Sequence, residues 1–321
     1  MGRQMSEELL PEHGNLSRAV TFDRYGDETV LRVVEVPVPA PLPGEVVVRV
    51  VAAALNPGEI GIREGAFAQM WPATFPEGQG NDFSGRVVEI GEGVTSFTTG
   101  DEVMAFKPRG GQADFVSVDV QHVARKPAEL SWEEAAAIPG AGATAYAAVR
   151  AVEPAAGETV VVSAAAGGVG IIAAQLARLA GARVIGTASA HNHDFLRSHG
   201  IEPVSYGEGL ADRITNLTEG QVDAYVDTFG SGNVDIAILL GVDPARITTT
   251  ADGSAAQRYG TRTDAQEEAD TPEEWEAIAD LVRTGQLVVP IHQVFPLTEV
   301  QGAYRELAKR HTRGKLILRV S

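Results

Sequence analysis

From Arg18 to about Lys126, apolar positions fall in short valine-rich runs separated by proline and glycine. RAVTF, TVLRVVEV, EVVVRVVAAAL, SGRVVEI, DEVMAF and ADFVSV have the length and β-branched content of strands. PVPAPLPG, from Pro37 to Gly44, cannot lie inside a sheet, because proline withholds a ladder donor and stiffens the chain. This section reads as a compact β-rich unit.

The pattern then changes. LSWEEAAAIPG carries Ser131 followed three residues later by Glu134, a capping box ahead of an alanine run. Beyond it, the buried-type strands ETVVVSA, ARVIGTA, EPVSY, VDAYVDTF and ARITTTA alternate with helical segments, which predicts βαβ units and a parallel sheet. In TPEEWEAIADLVRTGQ, Thr271 caps a helix, Pro272 takes its first position and Glu274 completes a capping box. Trp275, Ile278, Ala279 and Val282 share one face, and Gly285 ends it. LVVPIHQVFPLT and GKLILRV then return to strand texture. The textures divide the chain into 1–138 (β-rich), 139–286 (α/β, a doubly wound parallel sheet) and 287–321, a tail rejoining the first part. The fold class is α/β with a second, β-rich domain.

Composition narrows the function classes. A hydrophobic fraction of 44% with 21% charged residues describes a globular chain. With 26 basic against 43 acidic residues, a formal charge of −17, it lacks the cationic footprint that nucleic acid or an anionic membrane requires. There is no cysteine, so disulfides, thiolate nucleophiles and cysteine-ligated zinc are absent. The N-terminus is polar and acidic, unlike a signal peptide. Its Gly2-to-Ser6 match to a myristoylation pattern is read as accidental. The longest apolar stretch, Thr159 to Ala180, contains Gly167, Gly168, Gly170, Gln175 and Arg178, so no membrane span is expected and the location is expected to be cytoplasmic.

SAAAGGVGIIAAQLARLAG, residues 163–181, carries the candidate chemistry. Its glycines sit between an apolar run and a helix, where a backbone without Cβ can approach a pyrophosphate and a helix N-terminus offers N–H groups. Read as G-x-G-x-x-G, the first glycine is replaced by Ala165. The alternative is a strand-to-helix turn with no ligand. An NAD site usually has an acid at the end of the next strand, about 20 residues past the glycines. Here that end reads GTASAHNH, with Asp194 only later, so a 2'-phosphate is not repelled, which favours NADP(H). Arg197 is a helix-borne candidate for pairing with it. His191 and His193 read either as a solvated loop or as a metal pair.

Together with AVTFDRYGDETVLRVVEVPVPAPLPGEVVVRVVAAALNPGE, GNDFSGRVVEIGEGVTSFTTGDEVMAF, AAAIPGAGATAYAAV and HTRGKLILRV, this stretch resembles the zinc-free medium-chain dehydrogenase/reductases, in their NADPH:quinone oxidoreductase (zeta-crystallin-like) branch. The resemblance implies a GroES-like catalytic domain, a Rossmann domain holding NADP(H), and a homodimer. Zinc-dependent relatives have Cys where Asn56 stands and His where Asn81 stands, so no metal is implied. The resemblance carries Gly167, Gly168 and Val169 to the pyrophosphate. Ser189, His193 and Tyr206 go to the 2'-phosphate, Thr144 to the nicotinamide, and Phe229, Thr249 and Ala251 to the cofactor-lining edge. Lys315 is the basic residue reaching in from the tail. Asn56 and Glu59 fall at the catalytic positions, with Asn56 expected to donate to the acceptor oxygen; both also read as turn residues in LNPGE. Gly61 stands where relatives carry tyrosine, which implies an enlarged pocket or a lost proton donor. Trp71, with Met70 and Phe75, implies an apolar pocket wall.

The implied activity is hydride transfer from NADPH to a quinone or other α,β-unsaturated carbonyl compound. An enoyl or alkenal reductase of secondary-metabolite tailoring, or a non-enzymatic, crystallin-like NADPH binder, fits the same residues.

Overall fold

The computed structural model describes residues 15–263 and 271–321; the N-terminal myristoylation match lies outside them. They form two units. One comprises the described residues up to Gly140 with Gln293–Arg310 and Leu316–Ser321, the other the described residues of Ala141–His292 with His311–Lys315. Residues 287–292 and 311–315, expected in the tail that rejoins the first unit, thus group with the second.

The first unit is built on a seven-stranded sheet. Ile291–Pro296, Lys315–Arg319, Glu45–Ala54, Asp82–Ile90, Glu102–Phe106 and Val123–Arg125 lie side by side, and Phe115–Asp119 also pairs with Glu45–Ala54. Val46, Val47, Val48 and Val50 of the long strand are fully buried, which is why apolar residues occupy both of its faces, interrupted by Arg49. Phe83, Val103, Leu297, Tyr304 and Leu316 fill the core around it. A smaller sheet orders Arg32–Pro37, Leu16–Phe22 and Glu77–Gly78. The strand expected from Thr29 begins instead at Arg32. The Asp27 carboxylate accepts from Thr29 N at 2.9 Å and turns Glu28–Val30 into a short 3₁₀ turn.

In the second unit the strands Thr159–Val162, Arg183–Ala188, Glu202–Ser205, Ala224–Asp227 and Ile247–Thr249 are first to fifth in the chain and stand in the order third, second, first, fourth, fifth. All neighbours are parallel. This is the doubly wound Rossmann arrangement, with its switch point beside the first strand. Val161, Ile185, Ile214, Tyr225 and Ile247 pack its core.

Ser131 forms the expected capping box, with Glu134 N on Ser131 Oγ at 3.2 Å and Ser131 N on Glu134 Oε2 at 2.9 Å. The helix Trp132–Ala137 then widens into a π turn, Ile138–Gly142, before the helix Ala143–Ala151. At the helix Pro272–Arg283 the expected box is half made. Thr271 Oγ1 accepts from Glu274 N, but the Glu274 carboxylate pairs with Arg150 at 2.6 Å instead of turning back. Trp275, Ile278 and Ala279 of this helix are fully buried.

Candidate active site

The glycine cluster opens the helix Gly168–Leu179 directly after the first strand, with Gly167 as its cap. The first-turn N–H groups of Gly168, Val169 and Gly170 have no carbonyl four residues back inside the helix, so they face outward at its positive end. Two of the glycines are needed sterically. A Cβ on Gly170 would meet Ala164 O at 2.3 Å, and one on Gly168 would meet Lys315 Cδ at 2.6 Å. Ala164 itself sits at φ 46°, the left-handed region. Ala164 N bonds Thr187 Oγ1 and Ala165 N bonds Thr187 O, tying the turn to the second strand. The tail also docks here. Gly314 N donates to Ala166 O at 2.9 Å, and the Lys315 stem, 4% exposed, lies along Gly168. A helix N-terminus opened by glycines, with free first-turn N–H groups and a lysine stem alongside, fits a diphosphate.

Past the second strand, no carboxylate stands at its end. Ser189 Oγ lies 3.1 Å from His191 Nδ1, and His193 Nε2 lies 3.3 Å from Ser205 Oγ. Arg197 pairs with Asp194 at 2.7 Å. Two other guanidinium groups reach these loops, Arg313 from distant sequence and Arg213 from the helix that follows Ser205. Arg313 donates to Asn192 Oδ1 at 2.6 Å and His191 O at 2.8 Å, while Arg213 donates to Ser205 O at 2.8 Å and Glu208 O at 2.7 Å. Sequence reading missed both, since a base on a tail or in a helix after the third strand has no local signature. Tyr206, on the same loop, is exposed.

Phe229 is partly exposed and Ala251 exposed at the carboxyl ends of the fourth and fifth strands, whereas Thr249 is buried. Its hydroxyl donates to Asp227 at 2.7 Å, so the Thr249 side chain turns inward and does not line a ligand. Thr144 is half-buried on the helix Ala143–Ala151.

The candidate catalytic residues belong to the first unit. Asn56 caps the helix Pro57–Glu64 and forms a capping box with Glu59. Its amide donates to Asp82 Oδ2 at 2.7 Å and to Glu59 Oε1 at 3.1 Å. The flipped amide would set its oxygen against two carboxylates, so the assigned orientation is the favourable one. Both amide hydrogens are thereby engaged, and the expectation that Asn56 donates to an acceptor oxygen is corrected. Glu59 is buried and also accepts from Asn56 N at 3.0 Å and from Tyr304 Oη at 2.5 Å. Tyr304 in turn accepts from Gln79 at 2.7 Å and Gln112 at 2.8 Å. Burial first, and then the Glu59 charge, push the Tyr304 pKa well above its ordinary value, so it stays a donor. Gly140, in the π turn, fits only without a side chain: a Cβ there would meet Asp82 Oδ2 at 2.0 Å.

Gly61 does not open a pocket at its own position. A Cβ there would meet Phe67 Cε2 at 2.7 Å, so the Phe67 ring occupies that space. Phe67 packs against Trp71, with ring centroids 5.6 Å apart, and both are exposed. Arg109 holds this loop through Trp71 O at 2.9 Å, Pro72 O at 2.8 Å and Glu77 at 3.2 Å. Phe75, named with Trp71 as pocket wall, packs edge-on to Tyr25 at 5.0 Å.

Among the described residues, no three His, Asp or Glu side chains gather as a metal-ligand set, and no helix is long and apolar enough to cross a membrane.

Residues 42–156 match the family model of the alcohol dehydrogenase GroES-like domain, and residues 204–318 match that of the zinc-binding dehydrogenases. The quinone oxidoreductase of Pseudomonas aeruginosa is 32% identical over 94% of this chain and 99% of its own. The Escherichia coli quinone oxidoreductase complexed with NADPH superposes with a TM-score of 0.83 at 26% identity, covering 94% of this chain and 100% of its own. The CurK enoyl reductase does so with a TM-score of 0.84 at 25% identity, covering 96% and 100%.

Proposed function

Because this chain belongs to the quinone oxidoreductase branch of the medium-chain dehydrogenase/reductases, and is therefore a nicotinamide-dependent oxidoreductase, we propose that it uses NADPH to reduce a quinone or another α,β-unsaturated carbonyl compound. The choice of NADPH rests on the end of the second strand. Ser189, His193 and Ser205 gather there without a carboxylate at the strand end, and Arg313 and Arg213 hold the adjoining loops. A doubly charged phosphate is favoured beside imidazole, hydroxyl and guanidinium groups, and an acid at that place would repel it. The structure of a relative in complex with NADPH supports the same choice.

In this reading the N–H groups of Gly168 and Val169 hold the diphosphate, Lys315 adds charge beside it, and Phe229 and Ala251 flank the nicotinamide half. When bound, the cofactor supplies hydride. The protein orients the acceptor and accommodates the negative charge that develops on its oxygen. With both Asn56 amide hydrogens on carboxylates, that oxygen takes its proton from solvent. Asn56 and Glu59 are proposed to act by shape and fixed polarity, as a rigid corner of the acceptor site, with Trp71 and Phe67 as its apolar wall. The family relationship also favours a homodimer.

The test is a steady-state assay of NADPH and NADH oxidation with a panel of quinones and enones, alongside direct binding of both cofactors. Saturable turnover with NADPH and tighter NADPH binding are expected. Equal or tighter NADH binding overturns the cofactor assignment. Turnover of enones alone moves the acceptor to the class suggested by the enoyl reductase likeness.

A further inference from the structure

At the centre of the parallel sheet lies a carboxylate with no part in the chemistry above. Asp227 ends the fourth strand and is fully buried. Its oxygens accept from Ser163 Oγ at 2.6 Å, Phe229 N at 3.0 Å, Gly230 N at 3.0 Å and Thr249 Oγ1 at 2.7 Å. Ser163 follows the first strand and Thr249 ends the fifth, so one carboxylate joins the carboxyl ends of three neighbouring strands.

The network has a direction. Ser163 Oγ donates to Asp227 and accepts from Thr228 N at 2.8 Å. Thr249 Oγ1 donates to Asp227 and accepts from Ala251 N at 3.2 Å and Asp252 N at 3.0 Å. Each hydroxyl has one hydrogen, and it goes to the anion, which leaves its lone pairs to anchor the backbone of the loop beyond. Replacing the anion by an amide would set N–H against a hydroxyl or a backbone N–H in this cluster, and the polarity of both arms would have to reverse. Among the described residues no cation pairs with this buried carboxylate, and hydrogen bonds hold it, which is costly unless each donor is in place.

We propose that Asp227 is a positioning residue for the nicotinamide half of the cofactor. It orients the turn after the first strand, the Phe229 turn and the loop carrying Ala251 as one rigid rim. The proposal rests on the cofactor reading above. The adenosine half is held elsewhere, by the loops of Ser189 and His193, which share no hydrogen bond with Asp227.

The experiment compares binding of NADPH with binding of adenosine 2',5'-bisphosphate, which carries only the adenosine half, to the intact protein and to Asp227→Asn. NADPH affinity is expected to fall about tenfold or more, as loss of charge-assisted hydrogen bonds implies, while the fragment binds within about twofold of the native protein. KM for NADPH should rise more than KM for the acceptor. Thr249→Val cuts one arm only and should give a smaller loss of the same kind, which provides the test if Asp227→Asn does not fold. Unchanged NADPH affinity, or equal losses for NADPH and fragment in a folded variant, overturns the proposal. If the native protein binds neither NADPH nor NADH, the cofactor reading fails instead.

Discussion

The ring of Phe67 stands where a side chain on Gly61 would have to go, with its Cε2 atom 2.7 Å from the Cβ position. The two positions are therefore mutually exclusive: residue 61 stays small while Phe67 faces it.

Gly61→Tyr should accordingly displace Phe67 from Trp71 and destabilise the protein by about 1–3 kcal/mol. In a Phe67→Ala background the same change should cost less by at least about 0.5 kcal/mol. Urea unfolding of the four proteins measures the coupling, and equal costs in both backgrounds would refute the exclusion.

Ala164 holds φ 46° in the turn before the glycine cluster, where a Cβ is strained. Ala164→Gly should therefore stabilise the protein by roughly 0.5–1 kcal/mol, net of glycine's greater entropy when unfolded. A thermal melt that fell on substitution would show that the turn is not strained.

Ser189→Asp places an acid at the end of the second strand. NADPH binding should weaken by about tenfold or more, with NADH much less affected, because only the 2'-phosphate meets the new charge. Parallel titrations of the two cofactors give the ratio; a ratio left as in the native protein counts against the placement of that phosphate.

Tyr304 donates to Glu59 and accepts from Gln79 and Gln112. Tyr304→Phe would leave two buried amides without their acceptor and should cost about 1–3 kcal/mol. The prediction is a lower urea midpoint with the slope of the transition unchanged.

A hydrogen bond from Arg246, opposed by burial and aided by Ala155 N, holds Glu158 below its ordinary pKa of 4.5. A carboxylate depressed in the folded state stabilises above its unfolded pKa, and that contribution is lost as pH falls through the folded value. Glu158→Gln should therefore cost about 0.5–1 kcal/mol at neutral pH. The gap between the two proteins should close below pH 4.5, and a gap constant with pH would contradict the ion pair's role.

Much of this was legible along the chain. The valine runs, the alternation of strands with helices, the Ser131 box and the cluster at Gly167, Gly168 and Gly170 are local patterns, and local patterns survive in one dimension. Thr271 and Glu274 formed only half of their expected box, because Arg150, more than a hundred residues away, competes for the Glu274 carboxylate. The same limit hid Arg313, whose loop meets His191 only once the strands are ordered, whereas Arg213 lies eight residues from Ser205 but belongs to no motif. It also explains Asn56: its donors are engaged by Glu59, close in sequence, and by Asp82, brought to it across the sheet.

By itself, then, the sequence determined the strand and helix periods, the cysteine-free chemistry and the glycine-rich turn from strand to helix, all set by residues within a few positions of one another. Tertiary structure alone decided which way Asn56 points, that Phe67 fills the space above Gly61, and that Asp227 gathers three strand ends. Hydrogen-bond direction and steric exclusion depend on partners distant in the chain, and no spacing along it encodes them.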